Sequence, residues 1–176
     1  MIKVFGHLSP DTDATGSAIV WAWYLNQTGA NEAAAYILGD LNTETSFVLN
    51  HWKVTTPDLL ESLNEGDEIV IVDTNNPQEL PDTIDKATLV QLIDHHKLVP
   101  GLATEAPADI TIRPYACTAT IMYDLMSEET KNNLPDDIAG LMLSCILSDT
   151  LEFRSPTTTP HDKDVAEKLA AMVNVD

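Results

Sequence analysis

Apolar positions along this chain follow two rhythms, short unbroken runs and longer stretches spaced at helical intervals. Ile2 to Phe5 is a run that stops at Gly6 and predicts a buried strand. From Ala14 to about Gln27 the positions Ala18, Ile19, Trp21, Ala22 and Leu25 form a helical stripe, with Thr12 or Asp13 as its cap and Gly29 just beyond its end. Ala33 to Leu38 predicts a second strand, and Thr43 to about Asn50 a helix. A short strand around Lys53 to Thr55 and a helix from Pro57-Asp58 through Leu63 follow, stopped by Asn64-Glu65-Gly66. Glu68 to Val72 is the clearest strand, with four β-branched residues in a row, and Thr88 to Ile93 is the next.

The second half repeats the alternation. A strand is expected around Asp109 to Arg113 and a helix from about Cys117 to Met126. Leu134-Pro135-Asp136-Asp137 opens a helix that is apolar nearly all round, with Ile138, Leu141, Met142, Leu143, Cys145, Ile146 and Leu147, and is therefore central. Thr159-Pro160 opens a last helix to about Met172. Strands alternating with helices, several strands being continuously apolar, predict an α/β domain over 1–176: a mostly parallel sheet flanked by helices on both faces, Rossmann-like.

In such sheets a ligand sits beyond the carboxyl ends of the strands. Three polar clusters each follow directly on a predicted strand: Gly6-His7-Leu8-Ser9-Pro10-Asp11-Thr12-Asp13, Asp73-Thr74-Asn75 and Asp94-His95-His96. A fourth polar residue, Asp149, continues the buried stripe Ile138, Met142, Cys145, where a carboxylate is costly unless paired or metal-bound. The candidate ligand set is His7, Asp11, Asp13, Asp73, His95 and Asp149. Imidazole with carboxylates suits Mn²⁺, Mg²⁺, Co²⁺ or Zn²⁺. Six ligands exceed the need of one ion and suit two, with Asp73, the lone acid on a central strand end, as the bridge. Two ions about 4 Å apart share a water or hydroxide of lowered pKa, a nucleophile for phosphorus. On an extended backbone His96 points away from His95, towards substrate or proton donation, or into a supporting hydrogen bond. Asn75 reads as a support behind the ligands, Lys97 and Arg154 as cations for phosphate oxygens or surface charges, and His51 and His161 as surface residues without acidic partners.

Composition narrows the function further. A net charge of −19 argues against non-specific nucleic-acid binding, which needs clustered Lys and Arg. A small anion remains acceptable, because bound cations invert the local field. Cys117 and Cys145 lack metal or redox spacing and read as buried thiols of a reducing compartment. Without a leader segment or a membrane span in the sequence, a cytoplasmic protein is expected. No phosphate-binding G-x-x-x-x-G-K-[ST], dinucleotide G-x-G-x-x-G or hydrolase G-x-S-x-G pattern occurs.

The motifs Gly6-His7-x-x-Pro10-Asp11-Thr12-Asp13, Asp73-Thr74-Asn75, Asp94-His95-His96-Lys97 and Ser148-Asp149-Thr150 resemble the signature of the DHH phosphoesterase superfamily. Cys117-Thr118-Ala119-Thr120 and the stretch from Ser148 to Thr157 make the resemblance closest to the family II, manganese-dependent inorganic pyrophosphatases. That resemblance implies one metal on His7, Asp11 and Asp73 and a second on Asp13, Asp73, His95 and Asp149. It makes Asp11, Asp73 and His96 the catalytic residues, His96 a substrate contact, and Asp94 the acid that orients the histidine pair. The implied reaction is hydrolysis of pyrophosphate to two phosphates by a hydroxide between two Mn²⁺ ions, with further Mg²⁺ accompanying the substrate. The resemblance also implies a homodimer through this domain, and a C-terminal substrate-clamping domain that these 176 residues do not contain, so impaired turnover is expected. Other readings are a DHH phosphoesterase of short polyphosphate or nucleotide phosphates, and a metal-binding dimerisation module without useful turnover. Glu152, Arg113 and Tyr115 depart from the family pattern, where leucine, an acid and valine are expected.

Overall fold

The computed structural model describes residues 1–29 and 32–175. Its strands are β1 (Ile2–Phe5), β2 (Ala33–Ile37), β3 (Asp58–Leu59), β4 (Glu68–Val72), β5 (Thr88–Asp94) and β6 (Asp109–Ile112). The helices are α1 (Thr12–Thr28), α2 (Thr43–Trp52), α3 (Thr118–Leu125), α4 (Glu128–Asn132), α5 (Asp136–Asp149) and α6 (Pro160–Val173). All strand pairs are parallel, in the order β3-β2-β1-β4-β5-β6. The chain therefore winds outward from β1 to β3, returns to the other side of β1, and winds outward again. β1 and β4 flank the point of reversal, where the two crossovers leave in opposite directions and open a crevice beyond the strand ends.

Both sheet faces are buried, which explains the unbroken apolar run Ile69 to Val72 of β4 and the apolar residues that flank Lys3 in β1 and Gln91 in β5. Ile2, Val4, Val70, Val72 and Ile93 join the larger core with buried residues of α1, α2, α3, α5 and α6. Phe5, Ile69, Ile71, Leu89 and Leu92 face a smaller core closed by Leu60, Leu63 and Leu80. The α/β class and the parallel sheet match the sequence expectation, with an uneven cover. The long helices belong to the larger core, and connecting segments close the smaller one, with single 3-10 turns at Pro77–Glu79 and Ile84–Lys86.

Three local expectations are corrected. Pro57 to Leu63 is not a helix: Asp58 and Leu59 pair with Tyr36 and Ile37 as β3, and Leu60 N–H bonds the Ile37 carbonyl. The i, i+3 spacing of Leu60 and Leu63 serves an extended segment that drops both into the smaller core. Lys53 to Thr55 is not a strand, because Lys53 is the left-handed cap of α2, with φ of 58°. The cap of α1 is Asp11, whose side chain accepts from Ala14 N–H at 2.9 Å, rather than Thr12 or Asp13. Thr12 instead donates to Glu44, and Asp13 is turned into the core. The short α4 was not expected.

Close approach fixes where α1 lies. A Cβ on Gly6 would stand 2.7 Å from the Ala14 Cβ, and one on Gly16 would overlap the Cys145 sulfur of α5. Glycine at those two positions lets α1 press onto both the end of β1 and α5, bringing Asp11 and Asp13 towards Asp149.

Candidate metal centre

Each candidate ligand sits where an element ends. His7 follows β1, Asp11 and Asp13 open α1, Asp73 follows β4, His95 follows β5, and Asp149 closes α5. Asp73 takes the left-handed conformation, φ 62°, which sharply breaks the strand and turns its carboxylate into the crevice. Asp73 Oδ2 lies 3.5 Å from His7 Nε2, which is also 3.6 Å from Asp11 Oδ2. On the other side, Asp73 Oδ1 lies 3.2 Å from His95 Nε2, which is 3.7 Å from Asp149 Oδ2 and 4.0 Å from Asp13 Oδ2. The described residues give three groups of donor atoms, His7–Asp11–Asp73, Asp13–His95–Asp149 and Asp73–His95–His96, each within 4.8 Å. Such separations are those of neighbouring ligands about one cation, at bond lengths of about 2.1 Å.

The histidines are set by their outer nitrogens. His7 Nδ1 faces the Leu8 carbonyl at 2.8 Å and His95 Nδ1 the Tyr115 carbonyl at 3.2 Å. A carbonyl only accepts, so Nδ1 carries a proton, and Nε2 is the nitrogen turned to the carboxylates: it donates to them in the metal-free protein and is the atom a cation would take once that proton leaves. Asp13 is fully buried and accepts from Ser17 Oγ at 2.8 Å and Thr118 N–H at 2.7 Å. Thr118 Oγ1 also donates to Asp73 Oδ1 at 3.0 Å. Asp149 Oδ2 is buried with no hydrogen-bond partner among the described residues. A buried carboxylate oxygen without a donor is costly, and a cation is the partner that this surrounding of oxygens and imidazole nitrogens suits.

The titration of the side chains tells the same story. Burial and the charges of Asp13 and Asp73 push the Asp149 carboxyl up to about 11. Burial, followed by the charge of Asp73, pushes Asp13 to about 6. Burial alone would raise Asp73, but hydrogen bonds from His7 and His95 hold it below the usual carboxylate range. Burial would lower the histidines, and the carboxylates overrule it, raising His7 to about 11 and His95 to about 9. With Asp149 protonated, the other three carboxylates carry −3, which protonated His7 and His95 offset only in part; all four when ionised carry −4, which two divalent cations would offset fully.

His96 departs from the expectation of alternating side chains. The backbone leaves β5 at Asp94, so the rings of His95 and His96 lie on the same side, centroids 4.2 Å apart. His96 Nδ1 is 2.9 Å from Asp94 Oδ1 and 3.8 Å from Asp73 Oδ1, and half of its side chain is exposed. The bond to Asp94 raises its pKa, against the opposing effect of burial. Asp94 is fully buried and takes the His96 backbone N–H and an Asn75 amide N–H on its oxygens. Asn75 Oδ1 accepts from Val99 N–H at 2.7 Å, tying the loops after β4 and β5 together.

Lys97 is exposed, and Arg154 pairs with Glu152 at 3.1 Å with both side chains largely in solvent. His51 is exposed as expected. His161 is not a bare surface residue, since its Nε2 lies 2.8 Å from Asp124 Oδ1. Sequence reasoning assigned no role to Thr118 or Ser17, which hold the carboxylates. The signal for Thr118 was its place in Cys117-Thr118-Ala119-Thr120, directly before α3.

Comparison with known proteins places this arrangement. Residues 1–146 match the model of the DHH family, N-terminal domain. Staphylococcus epidermidis and Staphylococcus aureus proteins assigned as manganese-dependent inorganic pyrophosphatases are each 43% identical over 173 residues, 98% of this chain and 55% of theirs. The chain thus spans about half the length of the curated relatives it matches. A crystal structure assigned to the family II inorganic pyrophosphatases, from Methanococcus jannaschii, superposes with a TM-score of 0.89 at 39% identity, covering 100% of this chain and 57% of that one. An exopolyphosphatase-related protein from Bacteroides fragilis shares the fold, with a TM-score of 0.75 at 16% identity over 99% of this chain and 53% of that one. With the family model matching 146 of its 176 residues, this chain belongs to the DHH family, as an N-terminal domain of that family.

Proposed function

We propose that the chain hydrolyses inorganic pyrophosphate to two phosphates at two divalent cations, Mn²⁺ by preference. His7, Asp11 and Asp73 hold one cation, and Asp13, Asp73, His95 and Asp149 the other. The observation that carries this reading is Asp73, whose two oxygens face His7 on one side and His95 on the other. Paired cations of this kind lower the pKa of a shared water towards neutrality and neutralise phosphate oxygens. The relatives at 43% identity carry the name manganese-dependent inorganic pyrophosphatase, which supports both the metal and the substrate.

The chain's own groups supply orientation and protons. Asp94 accepts a hydrogen bond from His96 Nδ1–H, and the half-exposed ring leaves Nε2 for the substrate, so a protonated His96 can contact a phosphate oxygen and give its Nε2 proton to the leaving phosphate. Asn75 holds Asp94 in place for this role. Lys97 and Arg154 supply further positive charge to the substrate, Arg154 on leaving Glu152, and Mg²⁺ accompanies the pyrophosphate. Isotherms for Mn²⁺, followed by phosphate release from pyrophosphate, tripolyphosphate and a 3′-phosphorylated nucleotide, test the reading. Two Mn²⁺ per chain with pyrophosphate preferred is the expected result, and preference for the nucleotide would overturn the substrate.

We further propose that the chain forms a homodimer through β6. Among the described residues that strand pairs with β5 alone and exposes Ile110 and Ile112, a sheet edge that a second copy can extend. No described helix is long and apolar enough to cross a membrane.

A further inference from the structure

The cluster around Asp124 lies outside the candidate ligands, yet it ends on one of them. Asp124, on the last turn of α3, accepts from Arg113 Nη1 at 2.9 Å and Tyr115 OH at 3.2 Å through Oδ2, and from His161 Nε2 at 2.8 Å through Oδ1. The Tyr115 ring also leans on the His161 ring, centroids 5.0 Å apart. Tyr115 is thereby gripped at its hydroxyl and its face, while its backbone carbonyl receives His95 Nδ1 at 3.2 Å. Backbone bonds fix the flanks of the same segment: Arg113 N–H reaches the Asp94 carbonyl at 3.2 Å, and Ala116 N–H reaches the Asp162 carboxylate at 3.2 Å. Within the segment, the side chains of Arg113 and Tyr115 both depend on Asp124.

We propose that Asp124 is a positioning residue for the metal centre: through Arg113, Tyr115 and His161 it holds the Tyr115 carbonyl where that carbonyl fixes the tautomer and orientation of His95. His95 Nε2 then faces Asp73, Asp149 and Asp13 at 3.2, 3.7 and 4.0 Å. A metal-binding histidine depends on the acceptor at its other nitrogen, and loss of such a partner typically costs about 10- to 100-fold in metal affinity. Here the acceptor is a loop carbonyl, so control passes one step outward, to the side chains that hold the loop. The inference rests on the two-cation reading above, and it predicts an asymmetry which that reading does not. Weakening should fall on the cation that shares His95 and spare the one that shares His7.

The test is Mn²⁺ binding to the purified chain by calorimetry and electron paramagnetic resonance, with ¹⁵N NMR of the imidazoles. Asp124→Ala should weaken one Mn²⁺ position about 10-fold or more and the other less than about threefold, with loss of the protonated Nδ1 signal of His95. Asp124→Asn, which keeps an acceptor, should recover part of the lost affinity. Tyr115→Phe, which keeps ring and carbonyl and removes only the hydroxyl, should weaken the same position about three- to tenfold. It decides on the same criterion should Asp124→Ala fail to fold. Unchanged affinity at both positions, or equal weakening that tracks a lost melting temperature, would overturn the inference. Failure of the unaltered chain to bind Mn²⁺ would overturn the two-cation reading itself, and the inference with it.

Discussion

Asp73 Oδ1 lies 3.2 Å from His95 Nε2, while the other oxygen of the same carboxylate lies 3.5 Å from His7 Nε2. One carboxylate at the end of β4 therefore faces a histidine of each proposed cation position, whereas His7 and His95 each face only one. Asp73→Ala should weaken both Mn²⁺ positions by at least about 10-fold, because each loses a charged ligand. His7→Ala should empty one position and largely spare the other. Calorimetric stoichiometry distinguishes these outcomes. Loss of both ions in His7→Ala, or of neither, would count against the split.

His96 is the histidine with an outward-facing nitrogen, and Asp94 already satisfies its inner one. His96→Gln is expected to lower phosphate release from pyrophosphate about 100-fold or more, the usual contribution of a placed proton donor. Mn²⁺ stoichiometry should stay at two. A parallel loss of metal would move His96 from substrate contact to ligand.

In the metal-free protein, stability should fall as pH rises from about 6 to 9. His7 and His95 have folded values of about 11 and 9, raised above 6.5, so their stabilisation is complete below 6.5 and is lost as pH climbs through those values. Asp149 is raised from 3.8 to about 11, so the cost of ionising it also grows with pH. Asp73, held low, matters only in acid, where its stabilisation is lost as pH falls below 3.8. Mn²⁺ displaces the protons, so the rise in melting temperature on adding Mn²⁺ should grow with pH. Thermal melts in chelator and in Mn²⁺ check both trends, and a metal-free melting temperature that climbs over this interval would refute the first.

Gly16→Ala should destabilise the fold by about 1–3 kcal/mol through overpacking, because the new methyl overlaps the Cys145 sulfur. Cys145→Ala should partly rescue it, so the double variant should be less destabilised than the sum of the singles. Additive losses in denaturant melts would mean that the cost of the new methyl does not come from Cys145.

Ile110→Lys should convert a dimer to a monomer without disturbing β5, because Ile110 is half exposed on the sheet edge. Sedimentation velocity at micromolar chain concentration checks this. An unaltered chain that sediments as a monomer throughout would dismiss the dimer.

Much of the fold was legible because the central strands are buried on both faces, which leaves the unbroken apolar run Ile69 to Val72 in β4 and mostly apolar strands β1 and β5, broken by Lys3 and Gln91. The helices α1, α5 and α6 announce themselves through stripes and caps. The failures have local causes. Leu60 and Leu63 keep helical spacing while lying on an extended segment, and only the edge of β2 decides between the two. His96 was misplaced because strand alternation was carried past Asp94, where the strand has ended. His161 seemed partnerless because Asp124 lies 37 residues away, on another helix.

The sequence by itself determined the elements, the polar residues that end them and the family these motifs resemble, because strand length, helical period and turn chemistry are short-range properties. Tertiary structure alone decided who meets whom. The order β3-β2-β1-β4-β5-β6 sets β1 against β4 across more than sixty residues of chain, which brings His7 to Asp73. The close approach of α1 and α5 at Gly16 brings Asp13 within reach of Asp149. Which oxygen of Asp73 turns to which histidine follows from its left-handed backbone and from the Thr118 hydroxyl on Oδ1. Those choices depend on packing between distant segments, and spacing along the chain carries no record of them.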